Sequence, residues 1–126
     1  MDLEVIAELY LGYQHKKDPS DQWAWDAVKN LINQNADEAW ETTSILVNKT
    51  TSDEALAYVA AGPLEDLLKR YGLEVMERIE QESSQNPRLQ PALSGVWGIE
   101  LGNPHFERWY ALMWRYSFAE GKRSLL

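Results

Sequence analysis

The sequence predicts an all-α fold, and three observations carry that prediction. Apolar residues recur at spacings of three and four along nearly the whole chain, and no segment alternates with period two for long enough to require a strand. The apolar stripes are separated by Ser, Thr, Asp and Asn start signals and by Asn-Pro and Gly-Pro pairs. At 126 residues, with 44% hydrophobic and 25% charged side chains, the chain has the size and composition of one domain with its own core, residues 1–126. The expected architecture is a helical bundle or a set of HEAT-like stacked helix pairs, about eight helical segments in all. No strict internal repeat decides between the two.

Leu3, Ile6, Leu9 or Tyr10, and Tyr13 stand at helical spacing and form the first element, which Asp18-Pro19-Ser20-Asp21 ends while capping the next. Trp25, Val28 and Ile32 make the second stripe, with Asp26, Lys29, Asn30 and Asn33 on the wet side. A third helix starts near Asn35 and aligns Ala36, Ala39, Trp40, Thr43 and Val47; Asp37 and Glu38 in its first turn suit the positive end of the helix dipole. Thr50-Thr51-Ser52 followed by Asp53-Glu54 repeats the start signal for a short fourth helix carrying Leu56, Val59 and Ala60.

That helix runs straight into Gly62-Pro63. Proline lacks an N–H and suits a first helical position, and glycine supplies backbone freedom, so the pair predicts a rigid joint at which two helices meet at an abrupt angle. In the helix so opened, Glu65 falls at the third position, within reach of free backbone donors, and Asp66 gains from the dipole. Glu65 and Asp66 also stand four residues before Lys69 and Arg70. These structural roles account for the pair more simply than cation binding or proton transfer. Gly72 should close this fifth helix, and Val75, Met76 and Ile79 form the buried edge of a sixth whose other face carries Glu74, Glu77, Arg78, Gln81 and Glu82. Asn86-Pro87 and Asn103-Pro104 each restart a helix, with Asn as cap and Pro at the first position.

The last segment places Phe106, Trp109, Tyr110, Leu112, Met113, Trp114, Tyr116 and Phe118 on more than one face. A helix apolar all round belongs in the core; the alternative is one buried face and one partner surface, with Arg108 and Arg115 interleaved among aromatic anchors.

Ala60-Ala61-Gly62-Pro63-Leu64-Glu65-Asp66-Leu67-Leu68 with Tyr71-Gly72, then Ile79-Glu80, Asn86-Pro87 and Val96-Trp97, resembles an uncharacterised family of small bacterial helical domains. The similarity runs from about Trp25 to Trp97. It implies a bacterial, helical protein and transfers no catalytic residue, because that family has no established activity.

Chemistry-bearing motifs are scarce. Without cysteine there is no disulfide framework, no thiolate nucleophile and no cysteine zinc site. The two histidines stand outside metal motifs: His15 lies in the basic helix end Gln14-His15-Lys16-Lys17, and His105 follows Asn103-Pro104 without a neighbouring acid or nucleophile. Glu77 and Glu80, one turn apart, read as solvated charge on an amphipathic helix rather than as a cation site. Ser94-Gly95 lacks the Gly-x-Ser-x-Gly elbow, and Gly95, Gly98 and Gly102 match neither a P-loop nor a dinucleotide turn. We therefore expect no catalytic residue, no metal and no cofactor.

The formal net charge of −8 argues against nucleic acid and anionic lipid as partners, since phosphate binding draws on clustered Lys and Arg. Met1-Asp2-Leu3-Glu4 lacks the basic flank and apolar run of a signal peptide, and no apolar stretch is long enough to span a bilayer, so the expected setting is cytoplasmic. The expectation is an acidic helical domain that binds another, basic protein; its most concrete form is a bacterial inhibitor or immunity protein against a basic toxin. The residues expected to meet that partner are Asp37, Glu38, Glu41, Glu77, Glu80, His105, Trp109 and Trp114, with Gly62, Pro63, Glu65 and Asp66 as the structural joint. The competing expectation is a small hydrolase or ligand-binding domain built from scattered carboxylates and His105.

Overall fold

Every regular element of the computed structural model, which describes residues 2–93 and 107–112, is helical. The elements are α1 (Leu3–Lys16), a 3-10 turn (Pro19–Asp21), α2 (Gln22–Gln34), α3 (Ala36–Lys49), α4 (Asp53–Val59), a π-helical segment (Ala60–Leu64), α5 (Glu65–Ser83) and α6 (Leu89–Leu93). Residues 107–112 are helical as well. His105, Trp114, the Asn103-Pro104 restart and the Ser94 to Gly102 segment lie outside the described residues.

Short-range chemistry sets the starts. Asp2 Oδ1 accepts from the Glu4 N–H at 3.0 Å, Asn35 Oδ1 from the Glu38 N–H at 2.9 Å, and Ser52 Oγ from the Ala55 N–H at 3.1 Å. Each satisfies a backbone donor that the first helical turn leaves without a partner, a contribution of about 1 kcal/mol apiece. Helix α1 ends when Lys17 turns left-handed at φ 56°, its N–H reaching the Tyr13 carbonyl at 2.7 Å. Asp18 then accepts from both the N–H and the hydroxyl of Ser20, at 3.1 and 2.9 Å, which orders the 3-10 turn leading into α2.

Helix α3 is the hub. It packs against α1, α2, α4, α5 and α6, and α1 and α2 also pack on each other. Stacked pairs in a linear array touch only their neighbours, so this pattern is a bundle. The buried face of α3 presents Ala39, Thr42, Thr43, Leu46 and Val47. Thr42 and Thr43 donate to the carbonyls of Glu38 and Ala39, at 2.7 and 2.8 Å, so their hydroxyls enter the interior already paired. Around them one apolar cluster gathers Ile6, Ala7 and Tyr10 from α1, Val28 and Ile32 from α2, Leu67, Leu68, Val75, Met76 and Ile79 from α5, and Leu89 and Leu93 from α6.

The Gly62-Pro63 pair departs from the expected corner. Val59, Leu64 and Glu65 all keep right-handed helical φ/ψ, Gly62 is not left-handed, and α4 passes into α5 through the π segment without a non-helical residue. Proline inside an α-helix loses a hydrogen bond and strikes the carbonyl four residues back, whereas a wider π turn gives the ring room. Burial of Pro63 and Leu64 holds that turn in place. The start of α5 is therefore not a free helix end. Glu65 donates its N–H to the Gly62 carbonyl, a bond that a free first turn would lack.

A Cβ built on Gly62 would meet the Tyr10 hydroxyl oxygen at 3.5 Å, an ordinary contact. Gly62→Ala should accordingly raise stability by about 0.5–1 kcal/mol through helix propensity, while the branched methyls of Gly62→Val, crowding Tyr10, should lower it by about 1–2 kcal/mol. Chemical denaturation of both variants checks this; a loss above about 1 kcal/mol in the alanine variant would restore the corner.

The break expected at Gly72 falls one residue earlier: Tyr71, at φ −124° and ψ 15°, is non-helical and divides α5 into two helical stretches, the second ending at Ser83. Tyr71 Oη donates to the Ile32 carbonyl at 2.7 Å, pinning the bend to the last turn of α2. Asn86 behaves nearly as expected, with Oδ1 accepting from the Arg88 N–H at 3.0 Å before α6 begins at Leu89.

Candidate functional site

The acidic side chains singled out on α3 and α5 lie on two helices that pack against each other. Asp37 accepts from the Arg78 guanidinium, which ties the start of α3 to the middle of α5. Glu41 is exposed one turn further along the Asp37 face of α3, and Glu77 is exposed next to Arg78. Glu80 holds Arg108 through both carboxylate oxygens. That hydrogen bond, more than the nearby charges of Glu80 and Glu77, keeps the guanidinium pKa above its usual value. Glu38 is half-buried near the α3 start. Two of the five carboxylates are thus engaged by arginine, and Glu41 and Glu77 have no ion-pair partner among the described residues.

Glu65 and Asp66 are occupied as well. Glu65 pairs with Lys69 at 3.2 Å, as the spacing suggested, whereas Asp66 faces Lys29 of α2 at 4.0 Å rather than Arg70. Asp66 also acts on Tyr10. The Tyr10 phenol is pushed up to about 12 by burial first and by the Asp66 charge second, with a hydrogen bond to Gln14 working the other way. Burial and the Asp66 charge thus keep the Tyr10 phenol protonated well past neutral pH.

Trp109 sits on the core side of its helix. Its side chain is 7% exposed and joins the central cluster together with Leu112, while neighbouring Tyr110 is 43% exposed.

An open cleft of about 430 Å³ lies where α1, the end of α3 and the start of α4 converge. Leu11, Gly12 and Gln14 form one wall, and Thr51, Glu54 and Tyr58 contribute to the other. Gly12 is exposed in mid-helix with nothing within 4 Å of where a Cβ would stand. Lys49 enters from α3, but its ammonium is drawn toward α1 by Glu8 at 3.1 Å and Glu4 at 3.9 Å. Glu54 accepts from the Tyr58 hydroxyl at 3.4 Å and has no ion-pair partner among the described residues. Sequence reasoning missed this cleft. Only the unexplained glycine inside an otherwise regular helical stripe signalled it.

Among the described residues, no group of three or more His, Asp or Glu is placed to hold a metal ion, and no helix is long and apolar enough to cross a membrane. The profile of one protein family matches residues 13–115. The chain belongs to that family, DUF6869, a family of unknown function. The match extends beyond the stretch from Trp25 to Trp97 that carried the resemblance in the sequence and takes in residues 107–112. No curated protein and no solved structure matches the chain significantly. DUF6869 membership therefore contributes no activity, and any functional reading rests on the chemistry of the surface.

Proposed function

We propose that this chain is a non-enzymatic, cytoplasmic protein-binding domain that captures a basic partner through its acidic surface, in its most concrete form a bacterial inhibitor or immunity protein. The observation that carries the reading is the pairing of α3 and α5 across Asp37 and Arg78, with the exposed carboxylates Glu41, one turn along from Asp37, and Glu77, next to Arg78, on the two helices so joined, in a chain of net charge −8. Such a field steers a basic protein into encounter and repels nucleic acid.

The test is kinetic. A partner isolated from the source organism should bind the purified chain at a rate that falls steeply with added salt, since exposed charges are screened beyond about 8 Å at physiological ionic strength. The double variant Glu41→Lys, Glu77→Lys should slow association about tenfold and leave the melting temperature nearly unchanged, because neither side chain holds an ion pair among the described residues. Association indifferent both to salt and to this reversal would show that the charge serves solubility alone.

A further inference from the structure

We infer that the cleft between α1, α3 and α4 is a receptor for a single cationic side chain, lysine or arginine, presented by a basic protein partner. The inference rests on the protein-binding reading and adds to it an anchoring site away from the α3–α5 acidic face: Lys49, at the cleft, and Asp37, at that face, are at opposite ends of α3.

Three features point to a cation. The first is charge. Two charged residues line the cleft, Lys49 and Glu54; Lys49 is already held by Glu8 and Glu4 of α1, and Arg88 reaches the edge of the cleft at the Thr50 hydroxyl, 3.2 Å away, so Glu54 is the lining charge without an ion pair among the described residues. Glu54 is left with a phenol as its partner, which satisfies one lone pair and no charge.

The second is the aromatic wall. Tyr13 and Trp25 carry Lys17 and Lys29 over their rings, at 5.4 and 4.8 Å from the centroids. Tyr58, 40% exposed, has no such cation among the described residues. A ring face next to a carboxylate attracts ammonium or guanidinium by quadrupole and charge together.

The third is shape. The volume falls within the range of about 300–1,000 Å³ common to ligand clefts, and Gly12 leaves the α1 wall bare, so an alkyl stem can lie against Leu11 and the helix backbone. Helix α1 forgoes helix propensity by having glycine there rather than alanine. An anion is the poorer occupant. The first turn of α4 already holds Asp53 and Glu54, which offset the positive end of the helix dipole.

The probes are the N-acetyl amides of lysine, arginine, norleucine and glutamate, titrated into the 15N-labelled full chain and followed by amide chemical shifts. The lysine and arginine amides should shift Gly12, Thr51, Ser52 and Ala55 saturably. Glu54→Gln should weaken that binding about tenfold, and Tyr58→Leu should weaken it while Tyr58→Phe retains most of it. Glu54 and Tyr58 are both exposed, so the variants should fold, and their unchanged spectra away from the cleft check this. Equal shifts from norleucine, stronger binding of the glutamate amide, or lysine shifts confined to the Glu41 and Glu77 neighbourhood would each overturn the cleft assignment. If the cleft assignment fails while capture of the natural partner remains sensitive to Glu41→Lys, Glu77→Lys, the protein-binding reading stands by itself. The converse result, cleft binding without that sensitivity, removes the α3–α5 face and keeps the cleft.

Discussion

Trp109→Ala should lower stability by about 3–5 kcal/mol, the loss seen when a buried aromatic is deleted from a packed interior. Its side chain is 7% exposed and meets the same cluster that holds α3 and α5 together, so truncation leaves a cavity among neighbours that cannot all collapse into it. Trp23→Ala on the outer face of α2, where the ring is 40% exposed, should cost less than about 1 kcal/mol. Urea denaturation of the two variants is the measurement. Similar midpoints would mean that residues 107–112 contribute little to the core, and Trp109 would return to consideration as a partner anchor. The expected gap assigns the aromatic segment around Trp109 to packing and turns the search for a partner surface toward Glu41, Glu77 and the cleft.

The second large effect is alkaline. Tyr10 ionises at about 12 in the folded chain against its ordinary 10.0, because burial disfavours the phenolate and Asp66 repels it. A raised acid pKa means that the unfolded chain gives up its proton first. The stabilising contribution is complete below pH 10 and is lost as the pH rises from 10 through 12, a fall of about 2–3 kcal/mol for this residue. Tyr10→Phe should lose a small, constant amount at neutral pH, from the missing hydrogen bond to Gln14, and should show a shallower decline between pH 10 and 12. Since other tyrosines and lysines titrate in the same window, the difference between the two proteins is the informative quantity. Identical slopes would show that Tyr10 does not remain neutral in the folded state.

Helix starts were legible because their chemistry is local: Asn35 reaches the N–H of Glu38, and Ser52 that of Ala55, each three residues away. The stripes Val28 and Ile32, Ala39 and Val47, and Val75 and Ile79 were legible for the same reason, since helical period puts them on one side whatever they pack against. Gly62-Pro63 misled because glycine and proline state what the backbone is permitted to do, not what burial makes it do. Packing of Pro63 and Leu64 carried the helix through a π turn, whereas the break expected at Gly72 is present at Tyr71, whose hydroxyl is tied to the Ile32 carbonyl.

The candidate sites divide along the same line. Composition by itself determined an acidic chain without cysteine chemistry, and periodicity determined that it is helical and which side chains face water. Which carboxylates retain unbalanced charge was decided by the tertiary structure, because Asp37 meets Arg78 across 41 residues and Glu80 meets Arg108 across 28. The cleft was decided there too. Its walls come from residues 11–14 and 49–58, and no local spacing records that Gly12 will stand opposite Tyr58 and Glu54. Hydrogen bonds within a helical turn are properties of a few adjacent residues, whereas a cavity or a charge pair between helices exists only once the core has chosen how those helices pack.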